Sequence, residues 1–381
     1  MNDLVKLFGP FNQIVTMANV AKDGPINDSQ LEIIEDGGIR VNNGQIIEVG
    51  NYASIKQSGD QLCEVSEEAV AIPGFIDAHT HMCWAGNRAH DYAYRLQGAT
   101  YQEIAARGGG ILDTVRHTRA ATKQELSTRL EQNVLKHVQR GVTTMEIKSG
   151  YALNIDDEIK MLEVIREINS KISPTLIPTC LAAHTRPPEF DNNKDYLELL
   201  KKDLLPTIQE RDLCNRVDIF IEKGAFESEE SEEYLSYAQK LGFTICAHVD
   251  QFNLGGSAVA AKIHALTADH LEVTTADECA LLKQSDVIPV VLPGASMGLG
   301  MPFAPARMLL DHGLALVIAS DWNPGSAPQG ELLTQASILG ATEKLTIAET
   351  LAALTTRASR ALLLEDRGTL ESNKRADFLV F

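Results

Sequence analysis

The sequence predicts an α/β protein, a (β/α)8 TIM-type barrel beside a small β-sandwich domain, and three observations carry that prediction. Eight apolar, strand-like runs alternate with helical patterns between residue 68 and about residue 363, the rhythm of a barrel or of a doubly wound sheet. No GxGxxG turn follows an early strand, which weighs against the doubly wound alternative. Outside that region, residues 1–67 hold short β-type runs broken by Gly, Asn and Asp, and the final "GTLESNKRADFLVF" returns to the same character.

Each element has a local cause. In "GGIRVNNGQIIEVG", Asn43–Gly44 between two β-type runs predicts a tight hairpin turn, because both residues tolerate a positive φ. The barrel strands are expected at 71–77, 142–148, 175–182, 217–222, 243–247, 265–271, 287–292 and 314–319. Leu126, Leu130, Val134 and Val138 share one face of a helix over 123–140, with Gly141 as its stop. Thr122 and Glu125 form a capping box ahead of it, and Thr275–Glu278 and Thr346–Glu349 repeat the device. The closing stretch is expected to rejoin the N-terminal sheet. That gives a small composite domain of residues 1–67 plus 364–381, and a barrel of 68–363.

With 34 basic against 52 acidic side chains the formal charge is −18, which argues against nucleic acid and anionic membranes and leaves small molecules as partners. An anionic substrate would then need a local cation. Met1–Val20 lacks the basic start and long apolar core of a signal peptide, and no apolar run reaches the roughly twenty residues of a membrane span. Cys63, Cys83, Cys180, Cys214, Cys246 and Cys279 stand singly, which reads as reduced thiols in a cytoplasmic protein. The triple glycine 108–110 lacks the Lys–Ser/Thr of a phosphate cradle and reads as a flexible loop near an entrance.

The histidines are more informative. Five of the ten fall where strands end: His79 and His81, His184, His248 and His270, the positions that carry chemistry in such a barrel. His90, His117, His137, His264 and His312 lie in loops or helices and read as solvated or locally hydrogen-bonded. Residues two apart on a strand point the same way, so His79 and His81 can converge on one ion. His248 in "TICAHVDQ", His270 in "LTADHLE" and Asp321 in "LVIASDWNPGS" strengthen that signal, since an apolar strand end does not favour a carboxylate. Three imidazole nitrogens and one carboxylate oxygen suit Zn2+ or Fe2+, with a position left for water.

These residues carry a resemblance. "DAHTH" on the first strand, a His on the fifth, a His on the sixth and an Asp on the eighth are similar to the amidohydrolase superfamily of metal-dependent hydrolases. Within it the chain resembles the imidazolonepropionase family, cyclic-amide hydrolases of histidine degradation, along nearly its whole length. The match is densest in "GNRAHDYAYRLQGATYQEIAARGGGILDTVRHTRAAT", "SGYAL", "AAHTRPPEF", "TADHLEVT" and "SDWNPGSAP". The resemblance implies hydrolysis of 4-imidazolone-5-propanoate to N-formimidoyl-L-glutamate, one divalent metal ion per chain (Zn2+ or Fe2+/Fe3+), and a homodimer. By position, it implies His79, His81, His248 and Asp321 as metal ligands. It likewise implies Arg88, Tyr151, His184, Gln251, Asn323, Gly325 and Ser326 as substrate-binding residues. Position 251 is often a glutamate with an acid–base part in the family. A glutamine can hydrogen-bond the ring but cannot take a proton, so the catalytic set His270, Asp321 and Gln251 hands proton transfer to the first two. Relatives are also expected to run somewhat further past "ADFLVF".

The residue chemistry agrees. Opening a ring amide needs a strong nucleophile and a polarised carbonyl, and a metal supplies both, its bound water falling to a pKa of about 7. If the ion takes three other imidazoles, His270 is free to orient the water or accept its proton, and Asp321 can pass that proton to the leaving ring nitrogen. Arg88 offers planar, bidentate donors for the propanoate. Three rival readings stay open. Lys223 ends the fourth strand, and its carboxylation would build a two-metal centre, as in the dihydropyrimidinase and dihydroorotase branch. Glu222 precedes it, however, and only one of the two can point inward. A barrel kept as a binding or assembly module would have lost metal ligands, and here all four are present. A purine or pyrimidine deaminase is disfavoured by the Arg88 region and by Tyr151.

Overall fold

The computed structural model describes residues 4–65, 68–99, 103–104 and 107–381. Two sheets organise those residues. The larger follows chain order through eight parallel strands: Phe75–Asp77, Val142–Lys148, Thr175–Ala183, Arg216–Ile221, Thr244–Val249, Thr267–His270, Ile288–Val291 and Val317–Ile318. Parallel neighbours need a crossover, and helices such as Lys123–Val138, Ile155–Asn169 and Ser228–Lys240 supply it. The expected barrel is present. All three capping boxes form.

Two strands differ from expectation. The apolar run 71–77 is two strands: Val70–Pro73 belongs to the smaller sheet and Phe75–Asp77 opens the barrel. The chain changes sheets at Gly74, where a Cβ would lie 2.4 Å from Thr143 Oγ1. The eighth strand shrinks from 314–319 to Val317–Ile318 because its backbone partner changes beyond that point. Ala319 N–H still donates to Val291 on the seventh strand, but Asp321 N–H donates to the His79 carbonyl beside the first.

That change closes the barrel without a regular ladder. His81 N–H donates to the Trp322 carbonyl at 3.0 Å, Thr80 bridges to Trp322, and Ser320 N–H donates to Asp77 Oδ1 at 3.0 Å. The other Asp77 oxygen pairs with His137 Nε2 at 2.7 Å. His137 is therefore a fully buried seam residue, contrary to the bland expectation, because the helix Lys123–Val138 turns it under the first strand. His90, His117, His264 and His312 are exposed, as expected.

The smaller sheet is built from both chain ends. Lys6–Val15 pairs with Ile33–Asn42, with Gln61–Cys63 and with Val70–Pro73, and Phe378–Val380 adds to the last of these. Asn43 and Gly44 turn its hairpin with φ of 49° and 76°, as expected. Phe11, Ile14, Ile39 and Ile46 are its core, and the Phe378 ring lies edge-on to Phe8 at 5.3 Å. Among the described residues no helix is long and apolar enough to cross a membrane.

Candidate metal centre

At one mouth of the barrel three imidazoles converge. His79 and His81 follow the first strand, two residues apart, and His248 sits near the end of the fifth. The Nε2 atoms of His79 and His81 are 3.2 Å apart, and those of His81 and His248 are 3.4 Å apart. Asp321 Oδ1, from just beyond the eighth strand, is 3.3 Å from His81 Nε2 and 3.7 Å from His79 Nε2. All four side chains are buried.

What lies behind these rings decides what they can hold. Asp269 Oδ2 accepts from His79 Nδ1 at 2.7 Å, and Asp218 accepts from His248 Nδ1 at 3.1 Å. Where these carboxylates are ionised they can only accept, so both Nδ1 atoms then carry hydrogen and both Nε2 lone pairs face inward. Burial, with the charge of Lys148, holds His79 well below its ordinary pKa, and burial with His248 does the same for His81. Neutral nitrogens and a carboxylate pressed together repel one another unless a cation stands among them. The donor set therefore fits Zn2+ or iron, with the backing carboxylates typical of metal-bound histidines. His81 is the exception, its buried Nδ1 having no partner among the described residues.

Lys148 ties this backing together. Its Nζ lies 2.9 Å from Glu146, 2.9 Å from Asp218 and 3.8 Å from Asp269, at 1% exposure. Burial pushes Asp269 up to about 7. Asp218 is buried too, but its pairing with His248 and the charge of the nearer Lys148 outweigh burial and hold it below the ordinary carboxylate range. Sequence reading missed this cluster, although "VTTMEIK" places Glu146 and Lys148 two apart on one face of an apolar strand, an arrangement that needs buried partners.

Above the imidazoles opens a cavity of about 750 Å³. Every residue singled out from the sequence lines it except His79, which lies beneath. Each is held by its own loop. Glu158 accepts from the backbone N–H of Gly150, Ala152 and Leu153, fixing the turn that carries Tyr151. The His184 ring stacks on His81 at 5.2 Å and 24°. Asp91 pairs with Arg88 and accepts from Gly110 N–H. A Cβ on Gly109 would lie 2.3 Å from that carboxylate, so the glycine run anchors Arg88 rather than cradling phosphate; residues 100–102 and 105–106 of the same motif lie outside the described residues. Asn323 turns its amide into its own loop: Oδ1 accepts from Gly325 and Ser326 N–H, while Nδ2 donates to Asp321 and to Ser326 Oγ. Asp321 Oδ2 is thereby fixed, with Ser326 Oγ 3.3 Å away.

His270 ends the sixth strand in a left-handed conformation, φ 86°, which is uncommon for a non-glycine residue. Burial would lower its pKa, but Glu272, with Asp321 and Asp269, outweighs burial and raises it. Gln251 lines the wall, its loop held by Glu222, which accepts from Phe252 and Asn253 N–H. Glu222 is the inward member of its pair and Lys223 is exposed. Arg95 also reaches the cavity unforeseen, donating to the carbonyls of Gly298 at 2.5 Å and Gly325 at 3.1 Å.

The amidohydrolase family model matches residues 70–381. The chain is 41% identical to the imidazolonepropionase of Solibacter usitatus over 376 residues, covering 97% of this chain and 90% of that one. It is 38% identical to the imidazolonepropionase of Bdellovibrio bacteriovorus over 366 residues, covering 94% and 86%. Among solved structures, a triazine hydrolase variant superposes with a TM-score of 0.74 at 15% identity, covering 99% of this chain and 86% of that one. An adenosine deaminase from Xanthomonas campestris with bound zinc gives 0.69 at 17% identity, covering 99% and 84%. At those identities the structures speak for the fold alone. The curated relatives go further: the chain belongs to the amidohydrolase family and, within it, to the imidazolonepropionases, which makes it a hydrolase.

Proposed function

We propose that the protein hydrolyses the ring amide of 4-imidazolone-5-propanoate to N-formimidoyl-L-glutamate, a step of histidine degradation, as a cytoplasmic homodimer. The observation that carries this reading is the convergence of three neutral imidazoles and Asp321 beneath a cavity that also holds the Arg88 guanidinium. His79, His81, His248 and Asp321 would hold one metal ion, and their donor types suit Zn2+ or iron. Such an ion, when bound, polarises the ring carbonyl and acidifies a water.

The rest falls to the chain's own groups. Arg88 clamps the propanoate with its outer guanidinium nitrogens while Asp91 occupies Nε. Tyr151, His184 and Gln251 orient the ring, and the Asn323–Ser326 turn lines the same cavity. His270 takes the proton from the attacking water, and Asp321 delivers one to the ring nitrogen as the C–N bond breaks. Water thus adds across that bond, leaving a new carboxylate and a formimidoyl nitrogen.

The test is loss of imidazolone propanoate absorbance with purified protein carrying one equivalent of zinc. Wild type should turn over, Arg88→Ala should chiefly raise KM, and His270→Ala should chiefly lower kcat, by on the order of 10²-fold or more. No turnover by the zinc-loaded wild type, or two ions required per chain, would overturn the reading.

A further inference from the structure

We infer that Glu272, steadied by Ser296, is a positioning residue that holds His270 with Nδ1–H toward the carboxylate and Nε2 toward the cavity. This rests on the reading above, in which His270 moves the proton.

The local chain path makes the pair. His270 and Leu271 are both left-handed, with φ of 86° and 72°, and this double reversal brings Glu272 back beside the ring it follows. Glu272 Oε1 lies 3.4 Å from His270 Nδ1 and accepts from Ser296 Oγ at 3.1 Å. The Glu272 side chain is 1% exposed, and Oε2 has no hydrogen-bond partner among the described residues. Among those residues no Lys or Arg pairs with it. A buried carboxylate accompanied by one hydroxyl is costly, and the His270 N–H is the group that offsets the cost. The backbone strain persists because this contact, with the strand pairing of His270 to Val291, determines it.

The same device recurs in the site with a different result. Asp269 and Asp218 back the Nδ1 atoms of His79 and His248, whose Nε2 atoms crowd together. His270 has its own backing carboxylate, but the group whose ligand atoms lie within 4.8 Å of one another is His79, His81 and His248, so it stands beside the cluster. A base oriented by a third group is the arrangement that fixes tautomer and aim in acyl-transfer sites. It matters more here because residue 251 is a glutamine and cannot share the proton traffic.

The test combines kinetics with an activity-independent readout. In zinc-loaded protein, Glu272→Leu should lower kcat on the order of 10²-fold with KM little changed. Glu272→Gln, which keeps an acceptor and the shape, should recover part of that loss, and Ser296→Ala should lose only a few-fold. The His270→Ala/Glu272→Leu double variant should be no slower than His270→Ala alone, since the two act as one unit. Selective 15N labelling of histidine, with His270 assigned by its loss in His270→Ala, should show Nδ1–H in wild type and a changed tautomer in Glu272→Leu. Additive losses, an effect on KM alone, or a wild-type His270 bare at Nδ1 would overturn the inference. If wild type fails on imidazolone propanoate, the substrate reading falls, and the NMR comparison still decides the role of Glu272.

Discussion

Asp269 touches neither the cavity nor any donor atom at the cluster, yet it decides which nitrogen of His79 carries hydrogen. Asp269→Asn should weaken zinc binding about 10–100-fold, as removal of such backing partners does elsewhere, measured by competition with a chromophoric chelator; unchanged affinity would show that His79 needs no anchor. At this scale the residues that converge were legible and the groups behind them were not. His79 and His81 declare themselves by spacing, and Asp321 by being a charge at an apolar strand end. Asp269 stands next to His270 in "TADH" and looks like mere context for it. Arg95 was silent for a different reason: its partners are main-chain carbonyls of Gly298 and Gly325, more than 200 positions away, and nothing local points to them. His137 was misread likewise, because its acid lies on a strand 60 residues earlier.

Between elements, the tightest junction near the cavity is the helix Pro293–Leu299 against the Asn323–Ser326 turn. A Cβ on Gly298 would sit 1.6 Å from the Ser326 carbonyl oxygen, so Gly298→Ala must push that turn away. The turn fixes Asp321 through Asn323 and Ser326, and a displacement of about 1 Å near a reacting centre costs on the order of 10²-fold in rate. The expected outcome is a loss of kcat/KM of that order with the fold retained by circular dichroism. Near wild-type activity would mean that the helix yields instead of the turn. Elements whose cause is local were readable: capping boxes, the Asn43–Gly44 hairpin, the helical face of Leu126 and Leu130. The run 71–77 was not, because unbroken apolar character does not say which sheet a residue joins. Gly74, where Thr143 comes too close for any side chain, was the available mark.

For the whole molecule, the alternation of strand and helix was enough to read a barrel, and β character at both termini was enough to read a shared second sheet. The closure between first and eighth strands was illegible, since it consists of single bonds at Asp77, Thr80 and Ser320 and not of a ladder. A bound ion that sees only the folded state stabilises it by mass action, about 2.7 kcal/mol at a free concentration 100 times Kd. Stripping the protein with a chelator should therefore lower its melting temperature, and zinc added back should restore it with a stoichiometry of one. Saturation at two ions would instead favour a carboxylated lysine, although Lys223, which lines the cavity, is exposed.

The seam has a consequence for how the centre comes into being. His79 and His81 leave the ribosome some 240 residues ahead of Asp321, and they meet it only when the last barrel stave locks against the first through Asp321 N–H and Trp322 O. An unfinished or sprung cylinder presents the nitrogens without their oxygen. The full set of converging groups is thus a signature of completed assembly, and a chain that has not come full circle cannot offer an ion the proposed set whole.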